Sequence, residues 1–143
     1  MTQRVEFVIR YGMEAMDFRA VTGMLENVYW SRGIKEAEII QGASGSTLVA
    51  GAFSNGNQIG YARVVSDKTR FAYILDVVVH EAYRKSGIGR ALVNALLTHE
   101  EMKSVYQWML QTKDAHGVYR KLGFTVIANP ECWMEIRNPR PLR

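Results

Sequence analysis

At 143 residues, with 48% hydrophobic and 22% charged side chains, the chain has the make-up of one domain spanning 1–143 with its own core, and it is too short for two large ones. Its formal charge of +4 favours anionic ligands, but the charges are spread along the chain, so a nucleic-acid partner is not expected. No apolar run approaches the ~18 to 20 residues of a membrane span, and Arg4, Glu6 and Arg10 interrupt the start where a secretory signal needs apolar residues, so the cytoplasm is the expected location. The lone Cys132 has no partner within the chain and reads as a buried structural thiol.

In chain order, Val5, Phe7 and Ile9 alternate as a short strand, and Met13, Met16, Ala20, Val21, Met24, Leu25 and Val28 recur at helical spacing. Residues 29–46 mix Gly33, Gly42 and Gly45 with charges and suggest a short helix among loops. Leu48 to Phe53 and Ile59 to Val65 read as a hairpin across Asn55, Gly56 and Asn57. The run Phe71 to Val79, apolar except for Asp76, suggests a central strand covered on both faces. These three strands should form an antiparallel meander.

Further on, Ile88, Ala91, Leu92, Ala95 and Leu96 mark one face of a helix, and a strand at Val105 to Leu110 follows. Strand, helix, strand permits a parallel crossover between this strand and the central one. A shorter helix over Asp114 to Lys121, with Asp114 as its N-cap, is ended by Gly123. Phe124 to Ile127 and Trp133 to Ile136 complete a last hairpin, and Arg137, Arg140 and Arg143 among Pro139 and Pro141 read as a solvated basic tail.

The segment richest in chemistry joins the central strand to the long helix: Arg84, Lys85, Ser86, Gly87, Ile88, Gly89, Arg90. The first turn of a helix leaves backbone N–H groups unpaired at the positive end of the aligned peptide dipoles, so it can hold a phosphate. Gly87 and Gly89 let a bulky anion approach, and Arg84, Lys85 and Arg90 add charge. A pyrophosphate suits such a turn, although the third glycine of a dinucleotide fingerprint and the Gly-Lys-Ser/Thr of a nucleotide loop are both missing.

Arg84 to Gly89 resembles the R/Q-x-x-G-x-G/A motif of the GNAT superfamily of N-acetyltransferases. The order of a leading strand and helix, a meander, this turn and a late helix with a tyrosine is similar to that family over nearly the whole chain. The resemblance implies an α/β (α+β) fold with a mixed sheet of six to seven strands and about four helices. It further implies that the turn, with Arg84, Lys85, Ser86, Gly87, Ile88, Gly89 and Arg90, holds the pyrophosphate of acetyl-CoA, and that Val77, Val78 and Val79 meet the pantetheine arm through their main chain. Many relatives carry glycine where this chain has Lys85; a negative φ there would let lysine follow the turn with only a change in affinity.

Asp76 is costly in an apolar strand unless paired, hydrogen-bonded or protonated. Two readings stand side by side: a general base that takes the proton of the attacking amine, and a structural carboxylate satisfied by backbone or by Arg63. Tyr119 reads by periodicity as a core aromatic beside Leu122, whereas the resemblance implies a hydroxyl that protonates the departing sulfur. Around an acceptor, Trp30 and Arg32 in the loop after the first helix and Arg63 and Tyr73 on the meander are candidate contacts, with Arg32 suited to a substrate carboxylate.

His80, His99 and His116 are too widely spaced for metal ligation, so no metal is expected. The expectation is therefore direct transfer of an acetyl group from acetyl-CoA to a primary amine of a small molecule or peptide, in a ternary complex. The alternative is a non-catalytic acyl-CoA sensor or docking module of the same fold. Exposed methionines and aromatics leave a homodimer open.

Overall fold

The computed structural model describes residues 4–143. Five strands, β1 (Val8–Tyr11), β2 (Leu48–Ser54), β3 (Asn57–Ser66), β4 (Ala72–Val79) and β5 (Trp108–Met109), form one sheet in sequence order. The first four pair antiparallel and β4 pairs parallel with β5, giving the expected meander and crossover. Four α-helices flank it: α1 (Phe18–Leu25), α2 (Glu36–Ser44), α3 (Ile88–Leu97) and α4 (His116–Arg120). No helix of the described residues is long and apolar enough to cross a membrane.

Alternation along β2 and β3 sends side chains to opposite faces, and each face builds its own core. On one face Ile88, Leu92, Val93 and Leu96 of α3 settle against Ala50, Ala52, Ala62 and Val64. Small residues bring the helix close: a Cβ at Gly60 would meet Leu92 Cδ1 at 3.0 Å and Ile88 Cγ2 at 3.1 Å. On the other face Val21, Met24, Leu25 and Ile39 of α1 and α2 cover Val49, Phe53, Tyr61 and Val78. Asp17 caps α1, its Oδ1 accepting from Ala20 N at 3.2 Å.

The sheet has five strands where six to seven were expected, because the last hairpin does not form. Asn129 is left-handed (φ 55°), Pro130 opens a 3-10 turn, and Met134 and Ile136 lie 97% and 94% exposed, so the second segment seats no apolar face on the sheet, while Phe124 of the first packs against the core without joining a strand. The first strand starts at Val8 instead of Val5, and β5 shrinks from the expected Val105–Leu110 to two residues. The final segment is no free tail: Arg140 Nη1 donates to Trp30 O at 2.7 Å and Arg143 Nη2 lies 2.6 Å from Glu38 Oε2. Cys132, expected to be buried, is exposed.

Candidate active site and coenzyme turn

β4 is paired with β5 only at Ala72 with Trp108 and Tyr73 with Met109. Beyond Tyr73 it keeps β3 on one side and has no strand on the other. A bulge follows the parting: between the pairs Arg63–Leu75 and Tyr61–Val78, Asp76 and Val77 face the single residue Ala62. Asp76 takes the left-handed conformation there (φ 56°), a geometry that aspartate tolerates better than most residues. An acid in this strand is thus explained by backbone and by charge, since Asp76 Oδ2 accepts from Arg63 Nε at 2.7 Å with both side chains 18% exposed.

Arg63 is itself anchored, its Nη1 reaching Gly42 O at 3.4 Å and Ser46 Oγ at 3.3 Å at the end of α2, where the helix dipole favours a cation. The structural reading of Asp76 therefore holds as geometry. It does not exclude the catalytic one, because among the described residues Oδ1 takes part in no hydrogen bond.

At the far end of β4 the chain passes through a 3-10 turn, Glu81–Tyr83, capped by His80 Nδ1, and enters α3. Ser86 Oγ donates to Tyr83 O, and Arg84 Nε to Val79 O at 3.3 Å. Gly87 (φ 83°) is the N-cap of α3 and supplies no side-chain cap. Among the described residues none of the backbone N–H groups from Arg84 to Arg90 has a hydrogen-bond partner; Ala91 N, bonded to Gly87 O at 3.0 Å, is the first that does. An unbroken run of unpaired donors at a helix N-terminus suits a bulky anion. Lys85 adopts φ 64°, so the negative φ that would let lysine follow the turn without strain is not met. Lysine pays in strain, about 1–2 kcal/mol, for a conformation that glycine adopts freely.

A cavity of about 760 Å³ opens on the α1 and α2 side of β4. Tyr73, Asp76, Val77, Arg63, Trp30 and Tyr119 all line it, so the structure gathers most of the predicted catalytic and acceptor residues around one space. Val77 links it to the turn, because a Cβ at Gly89 would lie 4.0 Å from Val77 Cγ1. Arg32 is exposed and lines neither this cavity nor the neighbouring one of about 860 Å³ along β5. Its place on the wall is taken by Arg137, Arg140 and Arg143, together with Glu38, Lys113 and Asp114, which sequence reasoning had not assembled. The arginines were visible as a cluster, but nothing in their spacing linked them to Trp30 or Glu38.

Tyr119 stands between the two cavities and packs edge-on against Phe124, ring centroids 5.9 Å apart. Burial raises its phenol above the usual value, and the nearby Asp114 charge pushes the same way. The hydroxyl thus stays protonated well into alkali. Asp114 does not cap α4, whose N-cap is Ala115, held by Thr112 Oγ1 at 3.0 Å. Tyr73 is also raised, chiefly by burial, while Arg137 and Arg63 counter the shift. Asp67, away from the cavity, is lowered to about 2 because Oδ1 accepts from the N–H groups of Thr69, Arg70 and Phe71.

Comparison with known proteins bears on the family and the fold. The family model of the acetyltransferase (GNAT) domain matches residues 44–126. A solved structure of a GNAT-family protein from Xanthomonas campestris pv. campestris superposes with a TM-score of 0.86 at 31% identity over 96% of both chains. A structure described as an acetyltransferase from Deinococcus radiodurans R1 shares the fold, with a TM-score of 0.76 at 23% identity over 96% of this chain and 93% of that one. An uncharacterised N-acetyltransferase of Pyropia yezoensis is 29% identical over 79 residues, which make up 54% of this chain and 45% of that longer relative. With its α/β fold of mixed sheet and flanking helices, its parted β4 and β5 and its unpaired turn before α3, the chain belongs to the GNAT family of acetyltransferases.

Proposed function

We propose that the protein transfers the acetyl group of acetyl-CoA to a primary amine by direct attack in a ternary complex. The observation that carries this reading is the alignment of three features along β4: unpaired donors at its far end, an edge with no strand partner after Tyr73, and Asp76 with Tyr119 on one cavity. The donors from Arg84 to Arg90 fit a pyrophosphate, with the exposed Arg84, Lys85 and Arg90 supplying charge around it. The main chain at Val77, Val78 and Val79 lies on the edge that would receive the pantetheine arm. Bound acetyl-CoA supplies an activated thioester.

The chain's own groups supply proton traffic and position. Asp76, through Oδ1 or an intervening water, takes the proton of the incoming amine, while Arg63 fixes the carboxylate through Oδ2. Tyr119, kept protonated by burial, offers its proton where the thiolate departs. Trp30 and Tyr73 wall the acceptor, a small-molecule or peptide amine. Direct transfer needs no protein nucleophile, and Cys132 lies on neither cavity wall.

The test is a thiol-release assay with acetyl-CoA over a panel of amines, run beside calorimetry with coenzyme A. Uptake of coenzyme A and acetylation of at least one amine are expected. Folded protein that takes up no coenzyme A would end the proposal, and uptake without turnover on any amine would favour a sensor.

A further inference from the structure

The cavity around Asp76 and Tyr119 holds more positive charge than acetyl transfer uses. Arg63, Lys113, Arg137, Arg140 and Arg143 line it, against Glu38, Asp76 and Asp114. Some of this charge is cancelled inside the wall. Arg63 lies 2.7 Å from Asp76 and Arg143 lies 2.6 Å from Glu38, and each arginine side chain is largely covered, at 18% and 13% exposure.

Arg137 and Arg140 are different. Arg140 gives Nη1 to the carbonyl oxygen of Trp30 at 2.7 Å, a bond that orients the guanidinium, and among the described residues it forms no ion pair. Arg137 Nη2 lies 3.2 Å from Glu135 Oε2, but these side chains are 61% and 67% exposed, and such a surface pair contributes about 0–1 kcal/mol. It yields easily to a better-seated anion. A guanidinium carries five N–H donors in a planar fork that matches carboxylate and phosphate oxygens. Arg137 and Arg140 both belong to the lining of the cavity that also bears the proposed proton acceptor, Asp76.

We infer that the acceptor is an amine that also carries an anionic group, a carboxylate or a phosphate monoester, and that Arg137 and Arg140 hold that group while the amine faces Asp76. The inference rests on the acetyl-transfer reading above. Fixing the acceptor at both ends turns part of its binding energy into orientation of the nucleophile. The same guanidinium groups repel polyamines and other polycationic acceptors.

Matched pairs of acceptors test this with the full chain and acetyl-CoA: a free amino acid against its carboxamide, and an amino sugar against its phosphate ester, with a polyamine as the cationic extreme. The anionic member of at least one pair should have a kcat/KM about 10- to 100-fold above its uncharged twin, the gain expected from charge-assisted hydrogen bonds. The pair that responds identifies the anion as carboxylate or phosphate. In Arg137→Gln and Arg140→Gln the ratio within that pair should collapse toward one through KM, and Arg137→Lys should restore part of it.

Equal or better use of the uncharged twins or the polyamine by the parent overturns the inference, as does a ratio that survives in the doubly substituted protein. Calorimetry with coenzyme A on the same preparations separates the two levels. Uptake of coenzyme A with no anionic preference sinks the acceptor assignment alone, whereas no uptake sinks both. Should coenzyme A bind without turnover, N-acetylated members of each pair are titrated into the loaded protein, and equal affinity for acid and amide is again fatal.

Discussion

The turn before α3 and the cavity beside Asp76 share β4 and are built by opposite means. The turn is seven consecutive residues, Arg84 to Arg90, whose working parts are main-chain donors. The cavity takes its working parts from side chains on β3, β4, α4, the loop after α1 and the final segment. A site made from contiguous backbone tolerates side-chain change and keeps one ligand, while a site assembled from distant side chains can be altered one residue at a time.

Tyr119→Phe should have the largest effect. We expect kcat to fall about 100-fold or more if the phenol donates a proton, with coenzyme A affinity unchanged by calorimetry. The same group sets a pH limit. Because its folded pKa is raised, the alkaline loss of activity that reports its ionisation should lie above pH ~10, and a fall near neutrality would count against its role. Equal kcat for parent and variant would leave the cavity without its acid.

Next comes Gly60→Val, aimed at the support of the turn. Overpacking against Leu92 and Ile88 should cost about 1–3 kcal/mol in denaturant unfolding and displace the start of α3, weakening coenzyme A binding as well. A variant of unchanged stability would mean that α3 does not need that close approach.

Lys85→Gly goes the other way. Removing a left-handed lysine relieves about 1–2 kcal/mol of strain, part of which glycine's extra freedom in the unfolded chain takes back, so a net gain of ~0.5–1 kcal/mol is expected. Loss of stability would show that the lysine side chain does more than occupy the turn. The smallest effect concerns Asp67. Its lowered pKa adds stability that is present above its unfolded value near 4 and is lost as pH falls toward 2, so Asp67→Asn should flatten that part of a stability profile measured by denaturant titration.

What could be read from sequence divides along the same line. The apolar run before Val79, the glycines at 87 and 89 and the helical spacing from Ile88 are all local signals, and the turn followed from them. Asp76 announced itself as an anomaly, and Arg63 was already one of its named partners, but the bulge that turns the residue left-handed depends on a register with β3 that no local pattern encodes. The φ of Lys85 was likewise open in the sequence, where a negative value was only the easy case, and the folded turn takes the other branch. The final arginines were read as solvent-facing because prolines surround them. Their partners, Trp30 and Glu38, lie 110 and 105 positions away, and only the folded chain brings them together. Asp114 looked like a helix cap in sequence and instead sits in the cavity wall that Tyr119 shares.

The parting of β4 from β5 has a cost of its own. An interior strand that loses its neighbour after Tyr73 becomes a sheet edge, and a bare edge is a template for any extended chain that meets it, including another molecule of the same protein. With nothing in the gap, the protein carries that vulnerability inside its sheet; on the proposed reading a pantetheine arm lying there would cap it. On that reading, turbidity on long storage or gentle heating should be worse in coenzyme-free samples, and the substrate would guard against self-association as well as react.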